Sequence, residues 1–180
     1  MSGETFSNTN QTSFDSERSF GDFLKWRLTR KEPKAVQIET SDQWKQLGEQ
    51  SKNYAVWIGH STYLLNNGDL TIVTDPVFSK RASPFSWAGP KRLIAPAISL
   101  EELPDIDVIT VSHNHYDHLD IASLKTLHKL NPKALFLVSK GDMDLLVRSG
   151  IKNVTEFLWW ENIEVKNTMF TFTPNQHWSA

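Results

Sequence analysis

The sequence predicts a mixed α/β or α+β fold built around a sheet that contains both antiparallel and parallel strands. Two observations predict this class. In the first half of the domain, short β-rich segments follow one another closely enough to pair as hairpins. Further along the chain, apolar segments of strand length alternate with segments of helical periodicity, which is typical of strands joined by crossover helices.

Three apolar segments predict the antiparallel part of the sheet. An Asn-Asn-Gly turn signal at 66–68 lies between the second and third of them, and an Asp-Pro pair at 75–76 ends the third. A long loop follows at 78–96, and loops of that length in compact domains are often functional. The three predicted strands are Tyr54 to Ile58, Thr62 to Leu65 and Leu70 to Thr74.

The second half of the chain predicts alternating strands and helices. The apolar run at 106–111 predicts a buried strand, and Asp120 is the expected N-cap of a helix at 121–130. A short helix at 142–149 should end at Gly150. The remaining predicted strands are Ala134 to Ser139, Val154 to Leu158, Ile163 to Lys166 and Met169 to Thr173.

The N-terminal third predicts less regular structure. Residues 1–16 are polar and predict a disordered tail, and 17–53 predict a helical or extended segment. Within it, Phe20, Phe23, Leu24 and Leu28 recur at helical spacing among basic residues. Such a basic amphipathic helix either packs on its own domain or lies on an anionic membrane surface as a peripheral contact.

Composition excludes several classes of function. A length of 180 residues suits one domain or part of a larger one, and a net charge of -2 gives no signal for nucleic acid. The absence of cysteine excludes disulfides and fits a reducing compartment. No apolar run approaches the roughly 20 residues that span a bilayer, and no signal-peptide core is present. These features predict a cytoplasmic protein.

Four metal-binding side chains, His113, His115, Asp117 and His118, follow the strand at 106–111. Imidazole and carboxylate together suit zinc or a similar metal, and the lack of cysteine disfavours a purely structural zinc. In extended backbone, residues two apart point the same way, so His113 and His115 should share one ion. Asp117 and His118 lie where the chain should turn toward a second ion, and two adjacent metals favour hydrolysis.

Other candidates lie elsewhere in the sequence. His177 follows the last predicted strand and is either a third ligand to the first ion or a histidine at a frayed end. Asp75 either orients a ligand histidine or caps a turn, and His60 either supports a ligand or lies in the core. Lys91 and Arg92 either attract a phosphate head group or solvate a loop.

The spacing at 113–118 resembles the His-x-His-x-Asp-His signature of the metallo-β-lactamase superfamily. Further segments resemble the branch that contains N-acyl-phosphatidylethanolamine-hydrolysing phospholipase D, and this likeness extends from Tyr54 to the end of the sequence. The segments are Trp57 to Thr62, Thr74 to Ser79, Arg81 to Pro84, Gly89 to Arg92, Leu103 to Pro104, Ser112 to Asp120, Trp159 to Glu161 and Thr173 to Trp178.

The resemblance implies an αββα sandwich with two zinc ions at one edge, and 54–180 would form its N-terminal portion. His113, His115 and His177 would hold the first zinc. Asp117 and His118 would hold part of the second and act in catalysis. The family also uses a bridging aspartate and a further histidine that would lie downstream of Ala180, so we expect a longer gene product.

The resemblance also implies a function. The expected activity is that of a zinc-dependent phosphodiesterase, which hydrolyses N-acyl-phosphatidylethanolamine-like phospholipids with a metal-activated hydroxide. Two alternatives stay open: a metal-dependent hydrolase of a soluble ester or lactone, and an inactive metal-binding fragment that lacks the downstream ligands. A phospholipid or other phosphodiester is the expected partner, and nucleic acid is not.

Overall fold

A computed structural model describes residues 20–29, 31, 38–175 and 177. The predicted tail at 1–16 and much of 30–37 lie outside this described part. The described elements are α1 (Phe20–Thr29), α2 (Trp44–Gln50), β1 (Asn53–Gly59), β2 (Thr62–Asn67), β3 (Thr71–Thr74), a 3₁₀ turn (Leu100–Glu102), β4 (Val108–Thr110), α3 (Ile121–Leu130), β5 (Leu135–Ser139), α4 (Met143–Arg148), β6 (Val154–Phe157), β7 (Asn162–Val165) and β8 (Thr168–Thr171).

A six-stranded mixed sheet, in the order β1-β2-β3-β4-β5-β6, forms the centre of the described chain. The pairs β1–β2 and β2–β3 are antiparallel, whereas the pairs from β3 to β6 are parallel. The sheet therefore changes from hairpin connections to helical crossovers at β3. This arrangement confirms the predicted mixed α/β class.

The turn between β2 and β3 forms through asparagine side chains. Asn66 Oδ1 accepts the Gly68 N–H at 2.8 Å, and Asn67 Oδ1 accepts the Leu70 N–H at 2.9 Å. Gly68 has a φ of +90°, which a residue with a side chain rarely adopts. The Asn-Asn-Gly signal therefore acts as predicted and fixes the register of β2 against β3.

Asp120 caps α3 as predicted, and it also holds the long loop. Its Oδ1 accepts the Ala122 N–H at 3.2 Å, which supplies a partner for a helix N-terminal donor. Its Oδ2 accepts the Ser79 N–H at 2.9 Å. One carboxylate thus joins the start of α3 to the segment that follows β3.

Alternation along the central strands places apolar side chains on both faces of the large sheet. One face, which includes Val73, Ile109 and Phe136, packs against Leu124 and Leu127 of α3 and against apolar residues of α4. The opposite face packs against the small β7–β8 sheet. This second cluster contains Ile72, Val108, Leu137 and Phe157 with Ile163, Val165 and Phe170. The described chain thus stacks a helical layer, the large sheet and the small sheet.

The predicted amphipathic helix is present as α1, but two of its apolar side chains do not pack on the domain. Leu24 is 47% exposed and Leu28 is 79% exposed. The side chains of Phe20 and Phe23 lie outside the described set. Packing on the domain is therefore wrong for Leu24 and Leu28, while membrane contact stays a prediction. Among the described helices, none is long and apolar enough to span a bilayer.

The packing of α3 on the sheet generates a stability prediction. Leu124 is fully buried, so we expect Leu124→Ala to lower the free energy of unfolding by about 2–5 kcal/mol, because it removes buried methyl groups and leaves a cavity. The matched control, Lys125→Ala on the exposed side of α3, should change it by no more than about 0.5 kcal/mol. Urea unfolding measures both, and equal effects would contradict the packing of α3 described above.

Candidate metal centre

The candidate centre lies at one edge of the large sheet. Strands β1 and β3 both run antiparallel to β2, and β4 runs parallel to β3, so the carboxyl ends of these three strands meet at the same edge. His60 follows β1, Asp75 follows β3, and the 112–118 segment follows β4. Loops at strand ends carry functional side chains on a rigid frame. The topology therefore gathers residues that are distant in sequence.

The first ligand group consists of His113, His115 and His177. His115 Nδ1 lies 2.9 Å from His113 Nε2 and 3.2 Å from His177 Nε2. Imidazole nitrogens at about 2.0–2.1 Å from a tetrahedral zinc ion would lie about 3.3 Å apart, so these three atoms fit one ion. The structure thus brings together the three histidines that the sequence analysis assigned to the first metal.

Ser112 links the first group to Asp75, a role that the sequence analysis missed. Its Oγ lies 2.8 Å from Asp75 Oδ2 and 2.9 Å from His113 Nδ1. When the hydroxyl donates to the carboxylate, it can accept a hydrogen bond from the N–H of His113 Nδ1, which leaves the lone pair of His113 Nε2 available to a metal ion. In sequence, only its position beside His113 marks this serine.

The second ligand group consists of His60, Asp117 and His118. Asp117 Oδ2 lies 3.3 Å from His60 Nε2 and 4.0 Å from His118 Nε2. The rings of His60 and His118 are 5.1 Å apart between centroids. The interpretation of His60 as a core histidine is wrong, because its side chain is 52% exposed and faces Asp117.

Asp75 makes the contact expected of a residue that orients a metal ligand. Its Oδ2 lies 2.9 Å from His118 Nδ1, and its Oδ1 accepts the Ser112 N–H at 2.7 Å. With Nδ1 engaged by the carboxylate, His118 presents Nε2 toward Asp117. Asp75 is buried and has a φ of +38°, an uncommon value for a residue other than glycine.

The electrostatics of the first group favour the neutral imidazoles that metals bind. Burial is the largest of the causes that lower the pKa of His113 to about 4, and the nearby rings of His118, His115 and His177 act in the same direction. Burial and the His177 ring also lower the pKa of His115. In contrast, the hydrogen bond to Asp75 raises the pKa of His118 despite its burial. The surroundings therefore favour neutral rings for His113 and His115, whereas Asp75 favours the protonated form of His118.

Arg92 is half-buried rather than a fully solvated loop cation, while its predicted attraction of a phosphate head group stays a prediction. Its Nε donates to the Ser79 carbonyl at 3.2 Å, and its Nη2 donates to the Val77 carbonyl. Burial lowers the pKa of this guanidinium, an effect that Asp120 opposes. Arg92 therefore joins the two ends of the long loop through backbone carbonyls. Lys91 is exposed, and its two predicted roles stay open.

Comparisons with known proteins agree with this geometry. A family model described as a beta-lactamase superfamily domain matches residues 71–180. Over 133 residues the chain is 41% identical to N-acyl-phosphatidylethanolamine-hydrolyzing phospholipase D 1 of Caenorhabditis elegans. That match covers 69% of this chain but 37% of the relative, so the chain spans little more than a third of that relative's length.

Two solved structures share the fold. CmlA, a diiron beta-hydroxylase from Streptomyces venezuelae, superposes with a TM-score of 0.54 at 22% identity, over 68% of this chain and 24% of CmlA. Igni18, a metallo hydrolase from Ignicoccus hospitalis, gives a TM-score of 0.52 at 17% identity, over 69% of this chain and 49% of Igni18. At these identities the likeness concerns the fold alone. The family model, which matches more than half of the chain, and the 41% identical relative show that the chain belongs to the metallo-β-lactamase superfamily.

Proposed function

We propose that this protein is a zinc-dependent hydrolase that cleaves the phosphodiester of N-acyl-phosphatidylethanolamine-like phospholipids, with phosphatidic acid and an N-acylethanolamine as products. The observation that supports the assignment as a metal-dependent hydrolase is the convergence of ligand atoms into two adjacent groups at one edge of the sheet. The phospholipid substrate is supported by the 41% identity to the phospholipase D of Caenorhabditis elegans.

Zinc is the metal that best suits the donor set. Three imidazole nitrogens converge in the first group, and the second group adds imidazole and carboxylate donors. When bound, a pair of such ions lowers the pKa of a water molecule and polarises the phosphoryl oxygen. Because the same fold occurs in a diiron enzyme, iron is the competing outcome when bound metal is measured.

Some residues of this chain would bind the metal ions, and others would orient those ligands. His113, His115 and His177 would hold one ion, and Asp117 and His118 would hold the other. Asp75 keeps the His118 ring oriented through Nδ1, while Ser112 fixes the ring of His113. These contacts of Asp75 and Ser112 limit the motion of the two ligand groups relative to each other. Such a fixed arrangement is needed for both groups to act on one phosphate.

Exposed aromatic side chains on the long loop support a lipid over a soluble ester. Phe85 is 55% exposed and Trp87 is 77% exposed, and their ring centroids lie 5.6 Å apart. The same loop returns to the site through Arg92, which lies next to Gly59 and therefore near His60. Amphipathic or aromatic side chains of this kind suit an acyl chain or a peripheral contact with a cytoplasmic membrane surface.

The direct test compares this chain with the complete reading frame that encodes it. Both are purified, their bound metals are measured by mass spectrometry, and phospholipid products are measured after incubation with N-acyl-phosphatidylethanolamine vesicles. We expect the complete protein to release phosphatidic acid and N-acylethanolamine in equal amounts. A metal-loaded complete protein that hydrolyses lactones but leaves this phospholipid intact would contradict the proposed substrate.

Removal of one ligand tests the first metal position. We expect His113→Ala to reduce bound zinc by about one equivalent per chain, because the remaining two imidazoles cannot complete a tetrahedral site. The matched control is His128→Gln, a histidine in α3 outside both ligand groups. Zinc titration after chelator treatment measures both variants. Unchanged stoichiometry in His113→Ala would contradict the assignment of the first group.

Replacement of Asp75 tests its orienting role. In metal-free protein, the Asp75 hydrogen bond raises the pKa of His118, so protonated His118 stabilises the fold at low pH and this contribution is lost as pH rises through the folded pKa. We expect Asp75→Asn to lower that pKa and to weaken binding of the second ion by about 10–100-fold.

Histidine NMR titration and zinc titration measure the two effects of Asp75→Asn. Asp144→Asn is the matched control, because Asp144 pairs only on the surface of α4 with Arg148 at 3.1 Å. It should leave both quantities unchanged. An unaltered pKa of His118 in Asp75→Asn would show that the carboxylate does not orient this ring.

A further inference from the structure

His60 occupies a tightly anchored turn that aims its side chain at the second ligand group. The turn between β1 and β2 contains His60 and Ser61, flanked by the pair Gly59 and Thr62. Trp57 Nε1 donates to the His60 carbonyl at 2.9 Å, and Thr74 Oγ1 donates to the Ser61 carbonyl at 2.8 Å. Hydrogen bonds from β1 and β3, the strands on either side of β2, therefore fix the direction in which the imidazole leaves the backbone.

The backbone of His60 lies in the left-handed region, with a φ of +49°. Two-residue hairpin turns usually place Gly, Asn or Asp in such conformations, because these residues adopt them at lower cost. An imidazole at this position gives no obvious advantage to the turn itself. A backbone outlier of this kind motivates a search for a role of the side chain.

Structural roles do not explain the His60 side chain. It is 52% exposed, so it contributes little to the core, and its ion-pair partner Asp117 is 48% exposed. Charged pairs this exposed contribute little to stability, because water screens them. What distinguishes His60 is its geometry: it offers a nitrogen atom that, with one ligand atom each from Asp117 and His118, forms a set within 4.8 Å.

The distances within this set favour a shared ion. His60 Nε2 and Asp117 Oδ2 are 3.3 Å apart, which equals the separation of about 3.3 Å that tetrahedral bonds to zinc require. Asp117 Oδ2 and His118 Nε2 are 4.0 Å apart, which is wider, but rotation of the half-exposed Asp117 carboxylate can shorten this distance. His118 already presents Nε2 because Asp75 engages its Nδ1.

We propose that His60 is a third protein ligand of the second metal ion, coordinating through Nε2 beside Asp117 and His118. The inference rests on the metal centre of the proposed function. It deepens that function, because it gives the second metal ion two imidazole nitrogens and one carboxylate oxygen from this chain. The turn between β1 and β2 then belongs to the metal centre. The alternative is that His60 only positions Asp117 by donating a hydrogen bond to its carboxylate.

Zinc titration of the whole 180-residue chain, followed by long-range ¹H–¹⁵N NMR of its histidines, separates the two roles. The first equivalent of zinc should shift nitrogens of His113, His115 and His177. The second should move His60 Nε2 to the resonance range of a metal-bound nitrogen. If His60 Nε2 instead keeps its proton when Asp117 and His118 are loaded, His60 is a positioning residue and the proposal is wrong.

His60→Gln provides a second, independent readout. Glutamine can still donate a hydrogen bond to Asp117 but offers no imidazole nitrogen. We expect it to weaken binding of the second zinc by more than the roughly 10–100-fold that loss of an orienting partner costs. The cobalt-substituted protein should also change its visible spectrum, because the donor set of the second ion changes. Retained affinity and an unchanged spectrum would overturn the proposal.

A control variant and the binding of the first ion distinguish failure of the metal centre from failure of the role proposed for His60. Ser61→Ala alters the other residue of the same turn and keeps the carbonyl that Thr74 contacts, so it should bind both ions like the parent chain. If even the first equivalent fails to bind in the parent chain, the metal centre of the proposed function fails. If the first binds normally and the second does not depend on His60, only the present inference fails.

Discussion

The carboxylate of Asp75 is the interaction on which the candidate centre depends. It accepts hydrogen bonds from the backbone and side chain of Ser112 and contacts the ring of His118, although it is buried. A buried carboxylate is costly unless such partners replace water. Here those partners belong to the segment that carries the ligands of both groups. The same contacts that offset the burial of Asp75 therefore also fix the geometry of the site.

The packing of the large sheet makes the contacts of Asp75 with Ser112 and His118 possible. Parallel pairing of β3 with β4 places Thr74 opposite Thr110, so Asp75 and the segment after β4 leave the sheet side by side. Buried Val73 and Ile109 hold the two strands in register through packing on one face. A one-residue slip would turn these side chains to the wrong face and separate Asp75 from Ser112. The core thus specifies the site through strand register.

Local patterns in the sequence predicted much of this arrangement. The Asn-Asn-Gly turn, the Asp120 cap and the alternation of strands with helices all act over a few residues, and the structure follows them. The spacing of His113 and His115 also predicted a shared ion, because their convergence depends only on extended backbone. Asp75 and His177 were selected as candidates by their positions after strands, which is where sheet edges collect functional side chains.

What the sequence did not predict depends on tertiary contacts. From the sequence, His60 could either support a ligand or lie in the core, because its approach to Asp117 depends on how β1 and β3 flank β2 in the sheet. No local pattern in the sequence assigns a role to Ser112, and the hydrogen bonds of Arg92 to the carbonyls of Val77 and Ser79 form only in the folded chain.

The most direct measurement of the metal centre is anomalous X-ray scattering at the zinc edge from crystals of the zinc-loaded chain. We expect one peak among the imidazoles of His113, His115 and His177 and a second beside Asp117 and His118. The absence of a peak at the first position, with zinc bound elsewhere, would contradict the metal centre.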